Sequence, residues 1–102
     1  MFFPVTYVFT KNPNTMATVI LNHKVKDYNT WKALYDSDAA RRTGVGMVEL
    51  AVGEKAGDPG NVFIIWKLDD ASAVEKMMAD PELKERMAEG GVISAPEVTI
   101  LN

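Results

Sequence analysis

The run Val62-Phe63-Ile64-Ile65-Trp66 constrains this chain more than any other stretch. It is too short to cross a bilayer, and its β-branched and aromatic content marks it as a strand. Successive strand residues point to opposite faces, so this strand is apolar on both sides. Met47-Val48 and Leu50-Ala51-Val52 behave the same way. A sheet with one wet face would alternate apolar with polar; the fold must therefore contain a sheet that something covers on each side.

The remaining elements follow from periodicity and caps. Ala17 to Val25 reads as a first strand, with Val19, Leu21, His23 and Val25 on one face and Thr18, Ile20, Asn22 and Lys24 on the other. Asp27 is a suitable N-cap for a helix from about Tyr28 to Thr43, stopped by Gly44 and carrying one stripe of Trp31, Leu34, Tyr35 and Ala39. Met47 to Val52 and Val62 to Leu68 form the second and third strands around a Gly- and Pro-containing loop. Asp69 or Asp70 caps a second helix with Val74, Met77 and Met78. Asp80-Pro81 starts a further short helix with Leu83 and Met87, which ends at Gly90-Gly91. Val98 to Leu101 is the last strand.

The order strand, helix, strand, strand, helix, strand is the split βαβ pattern of an α+β, ferredoxin-like domain with a four-stranded antiparallel sheet. Right-handed crossovers place the helices on one face. The other face is bare and apolar, and an identical subunit is the simplest cover, giving an expected homodimer. Residues 1–15 form a separate N-terminal arm before the domain at 16–102. Phe3, Val5, Tyr7 and Phe9 alternate in it, so it is expected to be strand-like. It lacks the basic start and small-residue cleavage site of a secretory leader, and the expected location is cytoplasmic without membrane attachment.

Charge and residue counts remove several kinds of activity. A net charge of -3 over 102 residues disfavours nucleic acid as a partner, since phosphate binding rests on many Lys and Arg contacts. The chain has no cysteine and one histidine, which excludes a thiolate nucleophile and makes a transition-metal centre improbable. Gly44-Val45-Gly46 follows a helix instead of opening one, so it is no phosphate cradle. Ser37, Ser72 and Ser94 lack the strand-turn-helix setting of a hydrolase serine.

Three stretches resemble the dimeric α+β barrel superfamily, and within it the small antibiotic biosynthesis monooxygenase-like or cyclase-like proteins. They are His23-Lys24-Val25-Lys26-Asp27-Tyr28-Asn29-Thr30-Trp31, Ile64-Ile65-Trp66-Lys67-Leu68-Asp69-Asp70 and Asp80-Pro81-Glu82-Leu83-Lys84. The resemblance covers Ala17 to Asn102. It implies a sheet-to-sheet dimer and a pocket between helices and sheet. It also implies chemistry of the cofactor-independent oxygenase or polyketide cyclase kind, without metal, flavin or haem. The haem-degrading branch of the superfamily uses a histidine on the second helix, and this chain has Val74, Met77 and Met78 there.

Asn22 and His23 are consecutive strand residues, so only one of them opens onto a given cavity. His23 on the helix-side face is the candidate base, because imidazole titrates near neutrality. Asn22 is the alternative. Tyr35 is the candidate donor to a developing oxyanion, while Trp31, Trp66 and Met77 are candidate walls for a flat apolar or aromatic substrate. Each has an ordinary alternative: a structural histidine, core aromatics, an adaptable core methionine. Arg41 and Arg42 read as a solvated helix end, with guidance of an anionic substrate as the other possibility. A non-catalytic ligand-binding or structural homodimer is the reading to set beside the enzyme.

Overall fold

The computed structural model describes residues 17–70 and 72–101. The arm at 1–15 lies outside them. The strands are β1 (Ala17–Lys24), β2 (Val48–Glu54), β3 (Asn61–Leu68) and β4 (Glu97–Leu101). The helices are α1 (Tyr28–Ser37), α2 (Ala39–Gly44), α3 (Ser72–Ala79) and α4 (Pro81–Glu89). Every neighbouring strand pair is antiparallel, in the order β2-β3-β1-β4. This is the α+β, ferredoxin-like arrangement, with the two most apolar strands in the centre.

Register divides the side chains cleanly. Val19, Leu21 and His23 of β1 stand opposite Trp66, Ile64 and Val62 of β3, and all six are buried. With Val74 from α3 and Trp31 and Tyr35 from α1 they form one core under the helices. The other face carries Ile20, Asn22, Phe63 and Ile65. Between Glu49 and Ala51 the β2 register shifts, leaving Leu50 as a bulge. The extra residue changes the phase of the strand, so Glu49 and Val52 both face the helix side.

Asp27 caps α1 as its chemistry suggests: its carboxylate accepts from the Thr30 backbone N–H at 2.8 Å and from the Thr30 hydroxyl at 2.6 Å. Two loops fix where that helix starts. Val25 N–H donates to Gly60 O at 2.8 Å and Lys26 N–H to Gly91 O at 2.9 Å. Gly60 has φ +83°, and a Cβ there would sit 2.6 Å from the Val25 carbonyl oxygen, so no side chain fits.

Three expectations need correction. The long helix from Tyr28 to Thr43 is two helices that part at Asp38, and Ala39 is exposed as a result. Ser37 turns its hydroxyl back on Leu34 O at 2.6 Å, and the Asp38 carboxylate is held by Arg86 of α4 at 2.9 and 3.1 Å. Neither residue then supports continuation. The left-handed glycine is Gly46, at φ 82°, while Gly44 lies inside α2. The β2 strand starts one residue later than expected and runs on to Glu54.

Candidate functional site

The cavity lies between the helices and the inner face of the sheet. Its floor is Leu21 and His23 of β1 with Ile64 and Trp66 of β3, and its volume is about 70 Å3. Trp31 and Tyr35 come down from α1, Met77 and Met78 from α3, and Leu83 and Met87 from α4. A β1 face, a helix stripe capped by Asp27 and a β3 face thus meet because each buries its apolar side in one layer.

His23 is 4% exposed, and its Nδ1 is buried with no hydrogen-bond partner among the described residues. Burial lowers its pKa below the usual 6.5, so the ring is neutral at pH 7. Trp31 meets it edge to face, with ring centroids 5.5 Å apart and planes at 82°. Trp31 in turn stacks on Tyr35 at 4.9 Å, and the Arg42 guanidinium lies 3.5 Å over the Tyr35 ring. Imidazole, indole, phenol and guanidinium therefore form one continuous row along the cavity.

A second chain crosses that row. Trp66 Nε1–H donates to the Tyr35 hydroxyl at 3.1 Å, and that hydroxyl donates to Glu49 Oε1 at 2.8 Å. Burial, reinforced by the Glu49 hydrogen bond, pushes the Tyr35 phenol up to about 12. Its single proton is already directed at Glu49, so donation to a substrate oxyanion requires that bond to break. Glu49 reaches Tyr35 from its inward-facing place beside the Leu50 bulge, which no sequence signal announces.

Asn22 is placed away from this cavity. Its Nδ2 donates to Asn61 Oδ1 at 2.6 Å and to Val62 O at 2.9 Å, tying β1 to the start of β3. Of the residues singled out in the sequence, His23, Trp31, Tyr35, Trp66 and Met77 converge and Asn22 does not. Arg41 and Arg42 line the cavity mouth instead of ending a helix in solvent. Asp38 and Arg86 were missed altogether: they are 48 positions apart and only tertiary packing joins them. Among the described residues no group of three His, Cys, Asp or Glu side chains could hold a metal ion, and no helix is long and apolar enough to cross a membrane.

No protein-family model and no curated protein matches the chain. Solved structures do. SnoaB, a cofactor-independent oxygenase from Streptomyces nogalater, superposes with a TM-score of 0.64 at 13% identity, over 85% of this chain and 91% of that one. A candidate antibiotic biosynthesis monooxygenase from Caulobacter crescentus CB15 gives 0.65 at 16% identity, over 84% and 87%. A nipsnap family protein of unknown function from Agrobacterium tumefaciens gives 0.62 at 15%, over 88% and 89%. At these identities the likeness speaks for the fold: this chain has the α+β fold of the antibiotic biosynthesis monooxygenase-like proteins.

Proposed function

We propose that this chain is a small-molecule enzyme of the cofactor-independent monooxygenase or cyclase type, acting on a small apolar or aromatic substrate in the cavity and assembled as a homodimer through the bare sheet face. The observation that carries the reading is His23: a buried, neutral imidazole that lines the cavity beside Trp31, Tyr35 and Trp66. The fold shared with SnoaB, an oxygenase that works without a cofactor, supports the same direction.

In this reading His23 takes a proton from a phenol or from a carbon beside a carbonyl. The resulting anion is electron-rich enough to be its own reductant toward dioxygen. For a methylene the balance is CH2 + O2 giving C=O + H2O, so one oxygen atom is retained and the other leaves as water. In the cyclase variant the same carbanion attacks a carbonyl of the same molecule, and no oxidant is needed. Trp31 and Trp66 hold the flat substrate by stacking, and the Tyr35–Glu49 bond keeps the Tyr35 ring in place.

The test is oxygen uptake, and disappearance of substrate, with single-ring phenols and β-dicarbonyl compounds, repeated on His23→Ala. Loss of turnover by about 100-fold or more is expected for removal of a general base. Turnover that survives in His23→Ala would refute the role. A non-catalytic ligand-binding or structural homodimer is the second reading, and the cavity size favours its structural form: about 70 Å3 is below the roughly 150 Å3 that accommodates benzene in an engineered core cavity. Absence of turnover in every assay would select the second reading, and ligand binding would then separate its two forms.

A further inference from the structure

The three arginines at the cavity mouth are not equivalent. Arg86 is fully engaged, with Asp38 at 2.9 and 3.1 Å, the Ser37 hydroxyl at 3.1 Å and Glu89 at 3.4 Å. Among the described residues Arg41 has only long carboxylate contacts at the start of α4, at 3.6 Å to the N-cap Asp80 and 3.5 Å to Glu82, and its buried Nε has no partner there. Arg42 has no carboxylate partner at all among the described residues. It gives one N–H to Tyr35 O at 2.8 Å and holds its Cζ 3.5 Å over the Tyr35 ring, which leaves most of its five donors without a partner among the described residues. An unpaired guanidinium held rigidly at the rim of an apolar cavity is a standing invitation to an anion, in a setting drier than bulk water.

We propose that Arg42, with Arg41 as a second donor, binds the carboxylate of the ligand, so that the cavity takes a small amphipathic organic acid with its apolar end toward Trp31 and His23. This rests on the reading of the cavity as a ligand site and adds to it the class of ligand. The planar guanidinium fork fits a carboxylate in two parallel hydrogen bonds. The aromatic row runs from Arg42 over Tyr35 and Trp31 to His23, so an acid bound by its carboxylate lies with its body along the row. A volume of about 70 Å3 does not enclose a whole ring, so the body is a short chain inside the cavity or a single ring seated partly in its open mouth.

The chain has two tryptophans and both line the cavity, so their fluorescence reports occupancy directly. Phenylacetate and phenylacetamide share shape and differ in charge. The acid is expected to quench with an affinity about tenfold above that of the amide, a preference that falls as salt is raised. Arg42→Gln is expected to remove most of the preference by weakening the acid far more than the amide, the remainder resting on Arg41, and Arg42→Lys to retain a larger part of it, since an ammonium keeps the charge but lacks the fork. Equal affinity of acid and amide in the unaltered protein would overturn the proposal and leave the cavity as a ligand site. Full preference retained in Arg42→Lys or in Arg42→Gln would overturn it too and leave Arg42 as a cap on the Tyr35 carbonyl. If neither compound quenches, the ligand-site reading falls, and this proposal with it. Should Arg42→Gln fail to melt cooperatively, the Arg42→Lys comparison decides alone.

Discussion

Val62 and Phe63 are neighbours on β3, yet Val62 has no exposed surface while Phe63 is 37% exposed. The same holds along β1, where buried Leu21 sits between half-buried Ile20 and Asn22. Both faces of the sheet are apolar, so hydrophobicity does not distinguish them. What differs is what lies opposite. The inner face meets helices that pack around a cavity, and His23 Nδ1 on it is cut off from water. On the outer face Asn22 and Asn61 satisfy each other, and Phe63, Val48 and Leu101 wait uncovered. One face borders a cavity and the other is apolar and exposed, a difference set by what packs against each and not by composition.

The sharpest way to break this contrast is to truncate one large side chain on each face of β3. Trp66→Ala is expected to cost about 3–5 kcal/mol, because it removes a buried indole and leaves a hole beside Tyr35. Phe63→Ala is expected to cost under about 1 kcal/mol to the isolated subunit. Urea denaturation of both variants measures the difference. If the dimer forms through the outer face, the Phe63→Ala effect grows with protein concentration. Equal costs at low concentration would mean that the two faces are covered alike within one subunit.

A charge tests the outer face from the other side. Ile65→Lys places an ammonium in the middle of the bare face, which a single subunit tolerates and a sheet-to-sheet dimer does not. Association is expected to weaken about a hundredfold or more, with the far-ultraviolet spectrum unchanged. Sedimentation at micromolar concentration checks it. A dimer that persists in Ile65→Lys would place the subunit contact elsewhere.

How much of this contrast could be read beforehand depends on the range of the interactions involved. Alternation along Val19 to Val25 and the Asp27 cap are local, and they located both the cavity floor and the α1 aromatics that cover it. The choice between Asn22 and His23 was legible as a choice, but its outcome needed the crossover geometry that puts helices over one face. The break at Asp38 was not legible, because Ser37 and Asp38 are weak helix formers in many unbroken helices and the partner that fixes the break is Arg86. For the same reason Arg41 and Arg42 looked like a solvated end. Glu49 escaped notice because a one-residue bulge at Leu50 reverses the face of everything beyond it.

Tyr35 joins the inner wall to the sheet edge, and its removal has a smaller effect than that of Trp66. Tyr35→Phe keeps the ring stack on Trp31 but leaves the Trp66 N–H without its acceptor and Glu49 without its donor. A cost of about 1–2 kcal/mol follows from one buried donor left unpaired. A phenol pushed up to about 12 ionises after ordinary tyrosines, so the ultraviolet titration of the folded protein is expected to show a late step that Tyr35→Phe lacks. The absence of a late step in the unaltered protein would mean that the hydroxyl is wetter than its hydrogen bonds imply.

The finest probe of the dry inner face is the proton affinity of His23. Burial lowers its pKa below 6.5 in the folded chain, whereas unfolding returns it to the ordinary value. Between those two values the unfolded chain binds more protons than the folded one. Stability therefore falls as the pH drops through 6.5, and the fall from this residue ends once the folded imidazole also protonates. Above 6.5 the neutral ring contributes no pH dependence. His23→Gln has no group titrating in that window, so its denaturation midpoint is expected to change less between about pH 7 and about pH 5 than that of the unaltered protein. Carboxylates shared by both proteins cancel in the comparison, which makes the difference in slope specific to the imidazole. Identical slopes would show that water reaches His23 as freely as it reaches Asn22 on the opposite side of β1, and the distinction between the two faces would then fail at the residue on which the proposed chemistry depends.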